Sequence, residues 1–112
     1  MKEKKSTQTL PDYPNNIGKV RKVKDINGHE DIFIITDEIK FQQHNNPHKL
    51  IYFQKLEHQS DKMKKEYRFG YYMIGVKGKT QGKWVWGQYS LMIPAVDLRK
   101  LLKKAHEKGW DV

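Results

Sequence analysis

The stretch EYRFGYYMIGVKGKTQGKWVWGQYSL, residues 66–91, predicts a β-hairpin and decides the fold. Aromatic and β-branched residues, which favour a pleated surface, dominate its two arms, residues 67–76 and 83–91. Between the arms, Gly78 and Gly82 supply the positive φ that a tight turn needs. The hairpin therefore predicts an antiparallel sheet.

The strand glycines predict the register of this hairpin, because a large ring opposite a glycine compensates for the missing side chain. Folding the chain about Lys79 and Thr80 gives every strand glycine such a partner. The predicted pairs are Met73 with Trp86, Gly75 with Trp84, Tyr72 with Gly87, and Gly70 with Tyr89.

Because side chains alternate along a strand, this register places the four candidate binding rings, Phe69, Tyr71, Trp84 and Trp86, on one face. Lysines lie at the tip of the hairpin, and an arginine lies in its first arm. The candidate nucleic-acid-binding residues are Arg68, Phe69, Tyr71, Lys77, Lys79, Lys83, Trp84 and Trp86.

The N-terminal half of the chain predicts a tail and three strands. Residues 1–16 are polar, basic and proline-containing, which predicts a flexible basic tail before a single domain at residues 17–112. Residues 18–36 predict a first hairpin around Asn27-Gly28, the strongest short-range turn signal in the chain. Residues 42–48 predict a loop, and residues 50–56 predict a linking strand.

The C-terminal residues predict a helix that packs on the sheet. Pro94 suits the first helical turn, and apolar residues such as Leu98 and Leu101 recur at helical spacing. Gly109 fits the position after the helix, from which Trp110 can fold back. We therefore predict an α+β fold with an antiparallel sheet of about five strands (two hairpins plus a linking strand) and one C-terminal helix packed on one face.

The composition favours a basic intracellular protein. The net charge of +9 favours nucleic acid or another polyanion as the partner. Cysteine is absent, which excludes disulfides and fits a cytoplasmic location. No apolar run approaches the length of a membrane span, so we expect no membrane partner.

The predicted function is non-enzymatic binding of nucleic acid, with single-stranded DNA or RNA preferred. Bases stack on aromatic rings at ~1–3 kcal/mol each, while lysines hold the phosphate backbone. The alternative is a protein-interaction module or a homodimer joined through the aromatic hairpin face, since aromatic clusters also serve packing.

A small metal-dependent nuclease is the less favoured third hypothesis. The sequence EIK at residues 38–40 matches the E-x-K of nucleases whose carboxylates hold Mg²⁺ near a phosphate. That fold requires a helix before the first strand, and none is predicted. His44 and His48 have metal-ligand spacing only on a helix, which Pro47 disfavours. We identify no family motif and predict no catalytic residue, metal ligand or cofactor.

Overall fold

A curled sheet of five antiparallel strands carries one helix in the computed structural model, which describes residues 10–112. The strands pair in chain order, each with the next. The elements are β1 (Val20–Lys24), β2 (Glu30–Gln43), β3 (Asn46–His58), β4 (Lys65–Ile74), β5 (Trp84–Trp86) and α1 (Ala95–Glu107). The predicted α+β fold class is confirmed.

The first hairpin turns where the sequence predicted, at Asn27-Gly28. Gly28 has φ +83°, a conformation that glycine adopts without steric cost. Oδ1 of Asp25 accepts hydrogen bonds from the N–H groups of Asn27 (2.8 Å) and His29 (3.0 Å). The carboxylate thus satisfies backbone donors that the turn leaves unpaired.

The loop predicted at residues 42–48 is wrong, since β2 and β3 continue through most of it. Gln43 pairs with Asn46, so only two residues form the turn. Polar side chains stabilise this short connection: the Gln42 amide donates to the carbonyl of Pro47 at 3.0 Å. Pro47 lies where the pairing between β2 and β3 is irregular, and the pairing between β3 and β4 begins only at Lys49. Its missing N–H is therefore tolerated.

One face of the sheet, called here the helix face, forms the main core with α1. Ile39, Ile51 and Phe53 are buried there against helix residues that include Leu101 and Ala105. Helical spacing places these residues on one stripe, as the sequence predicted. Within residues 10–112, no helix is long and apolar enough to cross a membrane.

The residues that follow α1 pack against the same core. Gly109 has φ +78°, and the N–H of Trp110 donates to the carbonyl of Ala105 at 2.9 Å. This is the hydrogen bond of a Schellman cap, in which the residue beyond the glycine folds back onto the helix. The Trp110 ring packs at 5.2 Å from Phe53 and 5.4 Å from Tyr67, measured between centroids. The predicted C-terminal cap is confirmed.

The opposite face, called here the inner face, is the concave side of the curl. Residues directly opposite in neighbouring strands point to the same face, so the pairs Glu38–Gln54 and Gln54–Arg68 place all three residues on it. Polar and apolar side chains are both deeply buried here: Phe33, Ile35, Glu38, Leu50, Tyr52, Gln54 and Leu56.

The register between β4 and β5 is offset by one residue from the prediction. The observed pairs are Tyr72 with Trp86, Met73 with Val85, and Ile74 with Trp84. The connection, residues 75–83, contains a 3₁₀ turn at Gly78–Thr80 and is one residue shorter than the predicted register requires, since Met73 pairs with Val85 rather than with Trp86. Because the side-chain period of a strand is two, this offset turns both tryptophans of β5 onto the inner face.

Candidate functional site

The eight predicted binding residues divide into three groups in the structure. Phe69 and Tyr71 lie on the helix face, Arg68, Trp84 and Trp86 on the inner face, and Lys77, Lys79 and Lys83 in the exposed β4–β5 connection. The expectation that one face collects all four rings is therefore wrong, and the cause is the offset of β5.

Arg68 is the centre of the inner-face group. Its guanidinium carbon lies 5.0 Å from the centroid of the Trp86 ring and 5.1 Å from that of Phe33, where the faces of aromatic rings attract a cation. Its Nε donates a hydrogen bond of 2.6 Å to Oε1 of Gln54. Among residues 10–112, no Asp or Glu forms an ion pair with Arg68. Two aromatic rings and one amide oxygen therefore stabilise the charge of Arg68.

A pocket of about 350 Å³ opens beside Arg68. Its wall combines two guanidinium groups, two rings, an amide and an apolar side chain, namely Arg21, Arg68, Tyr72, Trp86, Asn16 and Val23, and Lys22 also borders it. No Asp or Glu of the described residues lines it. Burial lowers the pKa of Arg68 and the charge of Arg21 lowers it further, while Tyr72 and Glu38 act in the opposite direction. The pocket thus holds an excess of positive charge that an anion would neutralise.

A buried network beneath the pocket orients Arg68. The carboxylate of Glu38 accepts hydrogen bonds from the N–H of Asn16 at 2.8 Å and from Nε2 of Gln54 at 2.9 Å. Nζ of Lys40 lies 3.8 Å from the same carboxylate. Because the Gln54 amide nitrogen donates to Glu38, its oxygen faces Arg68. The guanidinium is therefore held in one orientation before any ligand arrives.

The segment at residues 10–16 crosses the inner face beside the pocket. The carbonyl of Pro14 accepts hydrogen bonds from the hydroxyl of Tyr52 at 2.5 Å and from Nζ of Lys40 at 3.2 Å. These contacts tie the second half of the predicted tail to the sheet. Residues 1–9 of that tail lie outside the described residues.

The same segment covers one of the two tryptophans of β5 and leaves the other open. Nε1 of Trp84 donates to the carbonyl of Pro11 at 2.9 Å, and the ring of Tyr13 meets Trp84 edge-on at 6.2 Å. Trp84 is therefore partly covered by the chain itself, whereas Trp86 lines the open pocket.

The inner face thus offers a cationic, aromatic pocket on a rigid support. The chain matches no protein-family model, no curated protein and no solved structure. The function must therefore be inferred from the chemistry of the site itself, in which cations and rings meet without a lining carboxylate.

The E-x-K residues serve the packing of the N-terminal segment. Glu38 accepts from Asn16, and Lys40 donates to Pro14. Within residues 10–112, no group of three or more His, Asp or Glu side chains is placed to hold a metal ion. The arrangement gives the nuclease hypothesis no support.

His58 links three strands through its buried ring. Its Nδ1 lies 2.6 Å from Oδ2 of Asp31, and its Nε2 lies 2.5 Å from Oε1 of Glu66. Burial alone would raise the pKa of Asp31, but hydrogen bonds from His58, the N–H of Ile32 and Ser60 outweigh it and hold that pKa below its usual value. His58 is the last residue of β3, so its ring belongs to the sheet.

Sequence reasoning assigned no role to Arg21, Lys22 or Tyr72, which complete the pocket. Two of the three arginines of this lysine-rich chain, Arg21 and Arg68, meet there. Arginine is the better side chain for bidentate phosphate contacts. The scarcity of arginine among so many lysines was the available signal, although it marks Arg99 on α1 as well.

The rings on the helix face form a separate, partly open patch. Phe69 stacks on Phe53 with centroids 4.2 Å apart and planes 6° from parallel. Phe69 is nevertheless 39% exposed, Met73 is 36% exposed and Tyr89 is 85% exposed. This patch lies on the opposite side of the sheet from the pocket.

Proposed function

We propose that this is a non-enzymatic nucleic-acid-binding protein of the cytoplasm that prefers single strands of DNA or RNA. The observation that carries the proposal is the half-buried Arg68, which has no acidic partner among residues 10–112 and faces a pocket shared with Arg21 and Trp86. A phosphate would neutralise the two guanidinium groups, and a base would contact the indole.

The shape of the pocket favours single strands. Trp86 and Tyr72 line a concave pocket of about 350 Å³ inside the curl of the sheet. A base paired within a duplex keeps its faces stacked on its neighbours, so it presents only edges to a protein. An unpaired base can leave the stack and enter a pocket of this kind.

The lysines of the β4–β5 connection extend the positive surface. Lys77, Lys79 and Lys83 are all exposed, and the chain carries a net charge of +9. Exposed lysines act as mobile point charges that follow a phosphate backbone without reading its sequence. Their contribution should therefore depend steeply on salt.

Fluorescence anisotropy with a labelled oligonucleotide tests this proposal. We expect single-stranded DNA or RNA to bind more tightly than a duplex of the same sequence, with log affinity falling linearly with log salt concentration. Arg68→Gln should weaken binding by ~10-fold or more, as expected when a charge-assisted hydrogen bond is lost. Arg99→Gln removes the same charge from the exposed surface of α1 and is the matched control. Absence of binding to both single strands at low salt would refute the proposal.

A protein-interaction module or homodimer remains the second candidate, favoured by the patch on the helix face. Phe69 and Met73 are exposed apolar side chains on one face of β4, on either side of Tyr71. If this patch joins two copies, Phe69→Lys should convert a dimer into a monomer in light scattering. Met63→Lys adds the same charge at an 86% exposed methionine away from the patch and is the matched control.

A further inference from the structure

We infer that the pocket beside Arg68 is a site for one nucleotide unit, with the phosphate on Arg21 and Arg68 and the base against Trp86. This inference rests on the proposed function and narrows it, because it assigns the recognition of phosphate and base to one cavity. It also assigns a ligand class, a planar base joined to a phosphate, to residues on β1, β4 and β5.

The volume of the pocket sets the size of the ligand. A pocket of about 350 Å³ lies near the lower limit of the ~300–1,000 Å³ typical of small-molecule sites. This is room for a single nucleotide rather than for several stacked ones. A longer strand must therefore insert one unit and place its remaining phosphates on the exposed surface.

The cations of the pocket suit a phosphate in particular. Arg21 and Arg68 bring two planar guanidinium groups to one cavity, and such groups bind phosphate oxygens in a bidentate manner. Arg21 donates within the described residues only to the carbonyl of Val20, at 3.0 Å, so most of its donors are available to a ligand. The Arg21 charge also disfavours the charge of Arg68, a repulsion that a bound anion would relieve.

The ring of Trp86 is fixed in place before binding. It lies on the backbone of Gly70 and meets the edges of Tyr72 at 5.0 Å and Tyr52 at 6.5 Å, measured between centroids. A ring that is already ordered loses little conformational entropy when a base stacks on it. The hydroxyl of Tyr72 and the amide of Asn16, 3.2 Å apart, add polar groups at the wall.

The three indole N–H groups of the protein lie in different environments and can report on the site. Nε1 of Trp84 donates to Pro11, and Nε1 of Trp110 donates to Asp37. Nε1 of Trp86 has no acceptor among residues 10–112. Their NMR signals, assigned with single Trp→Phe variants, therefore separate binding at the pocket from effects elsewhere.

The test is a titration of the ¹⁵N-labelled protein with adenosine 5′-monophosphate, followed at the indole signals. We expect a saturable shift of the Trp86 signal while the Trp110 signal stays in place. Adenosine and inorganic phosphate, each with half of the ligand, should bind ~10-fold or more weakly. An equal effect of inorganic phosphate alone would overturn the nucleotide assignment, since it would show a simple anion site.

Variants of the two exposed arginines complete the test. Arg21→Gln, in the exposed strand β1, should lower the affinity for adenosine 5′-monophosphate by ~10-fold. Arg99→Gln on α1 should leave this affinity unchanged. Equal affinities of the two variants would overturn the inference. Arg21 is solvent-exposed, so its substitution should not unfold the protein.

The outcomes distinguish this inference from the proposed function. If an oligonucleotide binds and the mononucleotide does not, the one-nucleotide pocket is wrong and strand binding stands. If the mononucleotide shifts Trp86 and no oligonucleotide binds, the proposed function is wrong and the pocket serves a free nucleotide. Competition of the mononucleotide with the oligonucleotide supports both together.

Discussion

The indole of Trp86 lies directly on the backbone of Gly70, so that a Cβ at residue 70 would come within 2.1 Å of Cη2 of the ring. Glycine is thus the residue that lets the ring reach the sheet, even though glycine normally weakens the interior of a strand. Because Trp86 lines the pocket beside Arg68, the missing side chain at residue 70 shapes the candidate site.

Gly70→Ala should destabilise the protein by ~1–3 kcal/mol, because the added methyl group overpacks the contact with Trp86. Urea unfolding followed by circular dichroism measures this change. In a Trp86→Leu background the clash is removed, so the same substitution should have a much smaller effect. Equal destabilisation in both backgrounds would show that the ring contact is not the cause.

The sequence predicted the two hairpins and a ring opposite each strand glycine. The predicted partners differ from the observed ones: Gly70 was expected opposite Tyr89, Gly87 opposite Tyr72 and Gly75 opposite Trp84. In the structure Trp86 covers Gly70 and the ring of Tyr71 covers Gly87, whereas Gly75 lies against Thr80. The difference arises in the connection that contains the 3₁₀ turn at Gly78–Thr80, which is one residue shorter than the predicted register requires, and no alternation pattern could reveal its length.

Trp86 and Lys79 should affect strand binding in different ways. Trp86→Leu should weaken single-strand binding by the ~1–3 kcal/mol typical of a stacked ring and leave the salt slope unchanged, since no phosphate contact is lost. Lys79→Gln should lower the slope of log affinity against log salt by about one unit. Anisotropy titrations across a salt series measure both quantities. A change of slope in Trp86→Leu, or none in Lys79→Gln, would contradict this division.

Asp37 stabilises the folded protein at neutral pH, and this contribution should be lost in acid. Burial alone would raise its pKa, but hydrogen bonds from Lys108, the N–H of Glu38 and Trp110 outweigh it and hold the pKa below the usual 3.8. A carboxyl group with a lowered folded-state pKa contributes stability above its unfolded-state pKa, and this contribution is lost as the pH falls through the folded-state value. The free energy of unfolding should therefore fall below about pH 4.

Two variants check the role of Asp37. Asp37→Asn removes the titrating group, so it should be less stable than the wild type at neutral pH and lose less stability on acidification. Lys108→Gln removes the donor that lies 3.1 Å from the carboxylate. The free energy of unfolding of this variant should therefore depend less on pH below about pH 4. Parallel profiles of wild type and Asp37→Asn below about pH 4 would contradict this account.

The pocket itself was harder to predict than the fold. The aromatic hairpin placed Arg68 and several rings in one candidate site, but no feature of the sequence joined Arg21 to them. Arg21 and Arg68 meet only because β1, β2, β3 and β4 pair in sequence and the sheet curls. Curl depends on features such as the β-bulge between Ile35 and Asp37, which has no distinct sequence pattern here.

Tyr52 should control how firmly the N-terminal segment lies on the inner face. Its hydroxyl donates to the carbonyl of Pro14 at 2.5 Å, and burial, followed by the nearby charge of Glu38, raises its pKa, so the hydroxyl remains a donor. Tyr52→Phe should destabilise the protein by ~0.5–1.5 kcal/mol, the net value of a typical hydrogen bond. It should also speed hydrogen exchange at the N–H of Asn16, which donates to buried Glu38.

Tyr71→Phe is the matched control for that measurement. It removes a hydroxyl on the helix face that accepts a hydrogen bond of 3.2 Å from the N–H of Tyr89, so it should leave exchange at Asn16 unchanged. Faster exchange at Asn16 in Tyr52→Phe alone would establish that the Tyr52 hydroxyl holds the segment. If exchange is the same in both variants, the other polar contacts of the segment, which include those with Glu38, Lys40 and Trp84, hold it without the hydroxyl.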